Sequence, residues 1–150
     1  MKTITTKSLE ETEEIAKKIG ANLKGGETIE LVSDIGGGKT TFTKSLAAGA
    51  GSKDHVTSPT FTISNIYESP KFKIVHFDFY RLPEAGLIEH TLHETLDEEN
   101  DVTVVEWADV VEHVLPKDRL TIVIKSKSDE GRELKFKYPN NLEYLLEGVN

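Results

Sequence analysis

The sequence contains no cysteine, which excludes disulfides and thiolate metal sites and suits a reducing compartment. No apolar run approaches the ~20 residues that cross a bilayer. The opening Met1-Lys2-Thr3-Ile4 runs straight into polar sequence, so no secretory signal is expected. Positive charge is in short supply: 18 Lys and Arg stand against 26 Asp and Glu, a net charge of -8. Direct binding of nucleic acid needs a basic face to neutralise phosphates. The balance therefore argues against nucleic acid as the main direct ligand, while leaving room for a complex in which a partner supplies the basic surface. The short basic cluster, Lys71 and Lys73, reads as a solvated hairpin edge. On these absences the expectation is a cytoplasmic protein without membrane contact.

What is present is 150 residues, 37% of them apolar, enough for one compact domain over residues 1–150. Ser8-Leu9-Glu10-Glu11 has the spacing of a capping box. Leu9, Ile15, Ile19 and Leu23 follow near helical spacing, so residues 8–23 read as an amphipathic helix ended by Gly25-Gly26. Thr28 to Val32 reads as a strand, and residues 39–49 as a helix with Phe42, Leu46 and Ala47 inward. Phe61 to Tyr67 and Lys71 to Phe77 read as a hairpin joined by Glu68-Ser69-Pro70. Residues 84–98 are helix-prone, with Leu87, Ile88, Leu92 and Leu96. Val102 to Val105 has the composition of a strand buried on both faces. Residues 108–114 look helical, 120–126 and 132–138 form a last hairpin around Asp129-Glu130-Gly131, and a short helix follows at 141–147. The pattern is α/β: a central mixed sheet flanked by helices, with antiparallel hairpins.

Between the first predicted strand and the second helix lies Ser33-Asp34-Ile35-Gly36-Gly37-Gly38-Lys39-Thr40. A phosphate loop needs backbone N–H groups turned inward around phosphate oxygens, and glycines leave that approach open. The following helix points its positive end at the anion. Lys39 can reach the β- and γ-phosphates and the Thr40 hydroxyl can ligate Mg²⁺. Ser33 stands where the pattern has its first glycine, and tolerates that position if its φ stays negative.

Hydrolysis needs in addition metal ligands and a group that positions water. Asp78 follows the strand Ile74 to Phe77, and Glu106 follows the strand Val102 to Val105. Ligands of open α/β sheets gather at the C-terminal ends of parallel strands. There Glu106 would bind metal directly or through water, and Asp78 would hold metal-bound water or orient the attacking water. Other candidates have plainer readings. His76 suits a local hydrogen bond, and His90 and His93, beside Glu89 and Glu94, suit a solvated helix face. Arg81 suits an ion pair or an interface. Tyr80 could touch nucleotide or a partner, while His55 and His113 carry no signal.

Four motifs then stand in fixed order: Asp34 to Phe42, Thr57-Ser58-Pro59-Thr60-Phe61-Thr62, His76-Phe77-Asp78-Phe79-Tyr80-Arg81-Leu82 and Val105-Glu106-Trp107. This set resembles the TsaE (YjeE) family of small bacterial ATPases, which belong to the machinery that makes threonylcarbamoyladenosine in tRNA. The resemblance spans roughly residues 8–138. The phosphate loop is generic to many NTPases; the other three motifs together are specific. The resemblance implies a P-loop fold that binds ATP and Mg²⁺, with nucleotide contacts from Asp34, Ile35, Gly36, Gly37, Gly38, Lys39, Thr40 and Thr41. It implies Thr40 and Glu106 as Mg²⁺ ligands and Asp78 as the catalytic carboxylate, also near the metal. Thr60 looks like a γ-phosphate sensor, Trp107 like a neighbour of the nucleotide, and Arg132 like part of a hairpin near the base. Gly37 stands where alanine is common. TsaB-like and TsaD-like proteins are the implied partners, with tRNA reached only through that complex. Two other readings are compatible with a phosphate loop. One is a nucleotide-gated binding module. The other is a small kinase, which the arginine-free acidic stretch 84–100 disfavours, since a kinase lid needs arginines.

Overall fold

The computed structural model describes residues 1–33, 38–54, 64–79 and 86–150, with the backbone alone at 86–88 and 109–110. In chain order the elements are β1 (Lys2–Thr6), α1 (Leu9–Asn22), β2 (Thr28–Val32), α2 (Lys39–Gly49), β3 (Ser64–Glu68), β4 (Lys73–Asp78), α3 (Gly86–Asp97), β5 (Val102–Glu106), β6 (Leu120–Ser126) and β7 (Arg132–Lys137). Two 3₁₀ segments, Ala108–Val111 and Asn140–Leu146, complete the described chain. The seven strands make one mixed sheet in the order β1-β7-β6-β2-β5-β4-β3. Its middle, β6-β2-β5-β4, is parallel, while β7, β1 and β3 join antiparallel at the two sides. The expected α/β architecture is the one found.

Local sequence explains most of the elements. Ser8 caps α1, its hydroxyl accepting from the Glu11 N–H at 3.2 Å. Glu11 reaches back one residue further than a capping box requires, accepting from the Lys7 N–H at 2.7 Å. Ile15, Ile19 and Leu23 are buried as expected, but Leu9 is exposed, because it starts the helix ahead of the face that meets the sheet. Phe42, Leu46 and Ala47 of α2 are each about 1% exposed. The sequence predicts a helix over residues 108–114. The structure gives four residues of 3₁₀ helix, Ala108–Val111, followed by turns.

β5 is buried along its whole length and shows the alternation that a two-sided sheet demands. Val102 and Val104 face the cluster formed with α1, α2 and the C-terminal segment. Val105 faces the other cluster, with Val75, Phe77, Leu92, Val111 and Leu115. Burying each such side chain stabilises by roughly 1.5–3 kcal/mol. β1 was not anticipated from the sequence: its five residues pair with β7, Lys2 opposite Phe136 and Thr6 opposite Arg132. No helix among the described residues is long and apolar enough to cross a membrane.

Candidate functional site

Three strands of the parallel block end at one edge. In register, Leu31 of β2 lies opposite Glu106 of β5, and Glu106 lies opposite Asp78 of β4. The strand direction inferred for both carboxylates is therefore the observed one, and Asp78 and Glu106 are neighbours. The backbone extends this pairing, since the Phe79 N–H donates to the Glu106 carbonyl at 3.1 Å. His76, two residues before Asp78, shares its face of the sheet with Ile74, on the α1 and α2 side.

β2 leads to the same edge, and α2 starts from it. Gly38 caps α2 at φ 101°, a left-handed conformation that only glycine adopts without strain. A Cβ there would meet nothing within 4 Å, so the constraint is conformational rather than spatial. Lys39 is 7% exposed. Its ammonium donates to the Ser33 carbonyl at 3.1 Å and to the Ser33 hydroxyl at 3.0 Å. It also lies 4.6 Å from the centroid of the Trp107 ring, within cation–π range. Thr40 is half-buried beside it and Thr41 is exposed.

Trp107 follows Glu106 at φ 56°, and among the described residues it is the one non-glycine at positive φ. A bulky residue held there stores roughly 1–3 kcal/mol of strain, a feature that concentrates at functional sites. The turn carries the indole over Lys39, so residues 107 and 39 close the gap between β5 and α2.

Glu106 is 2% exposed, one of three buried glutamates among the described residues. Glu27 accepts from the Lys24 N–H, the Gly25 N–H and the Tyr144 hydroxyl. Glu30 accepts from Arg119 at 3.0 Å and from the Thr121 hydroxyl at 3.2 Å. The Glu106 carboxylate, by contrast, meets one side chain among the described residues, the His76 Nε2. Keeping a carboxylate ionised when it is buried carries a desolvation cost. A hard cation would offset that cost, and Glu106, Asp78 and the Thr40 hydroxyl offer the oxygen donors that Mg²⁺ takes. The residues present fit the group.

Of the other candidates, Asp34, Ile35, Gly36, Gly37 and Thr60 lie outside the described residues, as do His55, Ser58, Pro59, Tyr80 and Arg81. Arg132 opens β7 opposite Ser126, so its hairpin projects from the edge at which β6 and β2 end. Its guanidinium donates to the carbonyls of Ser128, Asp129 and Gly131 in its own turn. His90 is exposed and pairs with Glu94 at 2.8 Å, and exposed His113 pairs with Glu89 at 2.8 Å. Tyr67 was not singled out in the sequence, yet its hydroxyl meets His76.

A family profile described as "Threonylcarbamoyl adenosine biosynthesis protein TsaE" matches residues 6–134. This chain belongs to the TsaE family. Among curated members, it is 41% identical over 141 residues to the tRNA threonylcarbamoyladenosine biosynthesis protein TsaE of Bacillus subtilis (strain 168), covering 91% of this chain and 85% of the relative. It is 35% identical over 128 residues to the TsaE of Rickettsia bellii (strain RML369-C), covering 83% and 87%. The crystal structure of Bacillus subtilis YdiB is similar over 98% of this chain and 92% of that one, with a TM-score of 0.78 and 38% identity. Within the TsaE family match fall Lys39, Asp78, Glu106 and Trp107, the residues that the fold gathers at one edge.

Proposed function

We propose that residues 1–150 form one Mg²⁺-dependent ATPase domain. It is a cytoplasmic component of the machinery that makes threonylcarbamoyladenosine in tRNA. The observation that carries this reading is the junction of α2 with β5. The Lys39 ammonium lies 4.6 Å from the ring of Trp107, the residue directly after the buried Glu106. The names of the family and of its curated members support the pathway.

The amide groups that open α2, with its positive dipole end, bind the phosphates. Lys39 leaves Ser33 and the indole for the β- and γ-phosphate oxygens. Thr40 and Glu106 hold Mg²⁺, which supplies charge neutralisation on those oxygens when bound. Asp78, the neighbour of Glu106 in register, orients the attacking water. The net charge of -8 leaves tRNA to the partners, a TsaD-like transferase and its TsaB-like companion.

The test is ATP turnover with and without TsaB-like and TsaD-like proteins. Lys39→Ala and Glu106→Ala are expected to lose at least about a hundredfold of the partner-stimulated rate, the scale of losing one charge-stabilising group. Unchanged turnover in both variants would show the site to be misassigned. Phosphate found on a new ester rather than free would point instead to a kinase.

A further inference from the structure

One row of buried polar side chains runs across three neighbouring strands: Tyr67 of β3, His76 of β4 and Glu106 of β5, at 3%, 0% and 2% exposure. The Tyr67 hydroxyl lies 3.2 Å from His76 Nδ1, and His76 Nε2 meets Glu106 Oε2. An ionised carboxylate only accepts, so Nε2 carries a proton. In the neutral ring Nδ1 is then the acceptor, and the Tyr67 hydroxyl donates to it. The row therefore has a direction, from hydroxyl to ring to carboxylate. A glutamate has several rotamers to choose from, and a donor at one carboxylate oxygen selects among them.

We propose that His76 is a positioning residue for the cation of the nucleotide site. It holds Glu106 by Oε2 so that Oε1 is presented to Mg²⁺, and Tyr67 fixes the ring and its tautomer. This rests on the ATPase reading given above. His76 does not touch nucleotide in this scheme; it acts through Glu106. Groups that orient a ligating carboxylate typically change metal affinity by 10–100-fold when removed. A role confined to filling the core would lower stability and leave metal-dependent binding unchanged.

The experiment titrates a non-hydrolysable ATP analogue into the full chain with and without Mg²⁺, reading the emission of Trp107, the single tryptophan. The quantity is the gain in affinity that Mg²⁺ confers. His76→Phe keeps a ring and removes both nitrogens, and is expected to lower that gain by about tenfold while metal-free affinity stays within about twofold. His76→Gln restores an N–H near the Nε2 position and is expected to recover the gain to within about threefold. Tyr67→Phe is expected to fall between the two. A wild-type gain in His76→Phe, with lowered thermal stability alone, would overturn the proposal. So would a wild-type gain in Tyr67→Phe should His76→Phe fail to fold. Glu106→Ala separates the two levels: if it keeps the full Mg²⁺ gain, the ATPase site itself is misread; if it loses the gain while His76→Phe does not, the positioning role alone is wrong.

Discussion

At the scale of single residues, Ser33 and Gly38 carry opposite backbone demands within one loop. Trp107 is the sole described non-glycine at positive φ, so Ser33 sits in a conformation open to any residue, and its hydroxyl gains a contact with Lys39. Gly38, at φ 101°, does not. Gly38→Ala is therefore expected to destabilise by about 1–2 kcal/mol through left-handed strain alone, the space around it being empty. Ser33→Gly is expected to change stability by less than about 1 kcal/mol. Urea unfolding of both variants checks this, and a clear stabilisation by Ser33→Gly would mean that the serine is strained after all. The positions of Lys39 and of both strand-end carboxylates are legible in sequence because strand ends and helix starts are local signals. The role of His76 is not. Its carboxylate partner is 30 residues away, and a local hydrogen bond was the natural reading. Alternation offered a clue: Ile74, His76 and Asp78 share one face, and Ile74 makes that face an inward one.

At the scale of elements, α2 is held against the sheet by α1, and the two helices approach at reciprocal glycines. A Cβ on Gly20 would fall 2.0 Å from the Leu46 carbonyl oxygen, and one on Gly49 would fall 2.1 Å from that of Lys17. Backbone atoms cannot yield as a side-chain tip can. Gly20→Ala or Gly49→Ala is expected to cost about 1–3 kcal/mol or more, as overpacking does. Because α2 carries Lys39, the shift should also weaken nucleotide binding. Thermal unfolding and analogue titration together test this, and two variants with wild-type values in both would show that the helices separate freely. Neither glycine advertises its purpose in sequence, since each lies in a helix where alanine has the higher propensity. β1 was missed for a related reason. Lys-Thr-Ile-Thr-Thr has one aliphatic residue, and its extended conformation comes from pairing with β7, 130 residues later. β2, β5 and α2 are legible in sequence because their apolar periodicity is complete within the element itself.

At the scale of the whole molecule, both chain ends are tied down far from the edge that carries the candidate site. Lys2 Nζ donates to the Val149 carbonyl, and Asn22 donates to the carbonyls of Leu145 and Glu147 at 3.0 and 2.9 Å. Tyr144 completes this tie. Its hydroxyl donates to Glu27 at 2.5 Å, and the Lys24 ammonium lies 4.2 Å from its ring centroid. Burial pushes the Tyr144 phenol above its ordinary value, and the hydrogen bond to Glu27 and that carboxylate's charge push it further in the same direction. The folded protein thus holds this proton more tightly than the unfolded chain does. Linkage then sets the sign: the stability contributed is complete below about pH 10, the ordinary tyrosine value, and is lost progressively as pH rises above it. Wild type alone would not isolate the phenol from the other groups of the chain. Tyr144→Phe keeps the ring under Lys24 and removes only the hydroxyl. The difference in unfolding free energy between wild type and Tyr144→Phe is expected to be constant from about pH 7 to 9 and to shrink above about pH 10. A difference that holds steady through about pH 11.5 would mean that the tie between the C-terminal segment and Glu27 does not depend on the Tyr144 proton.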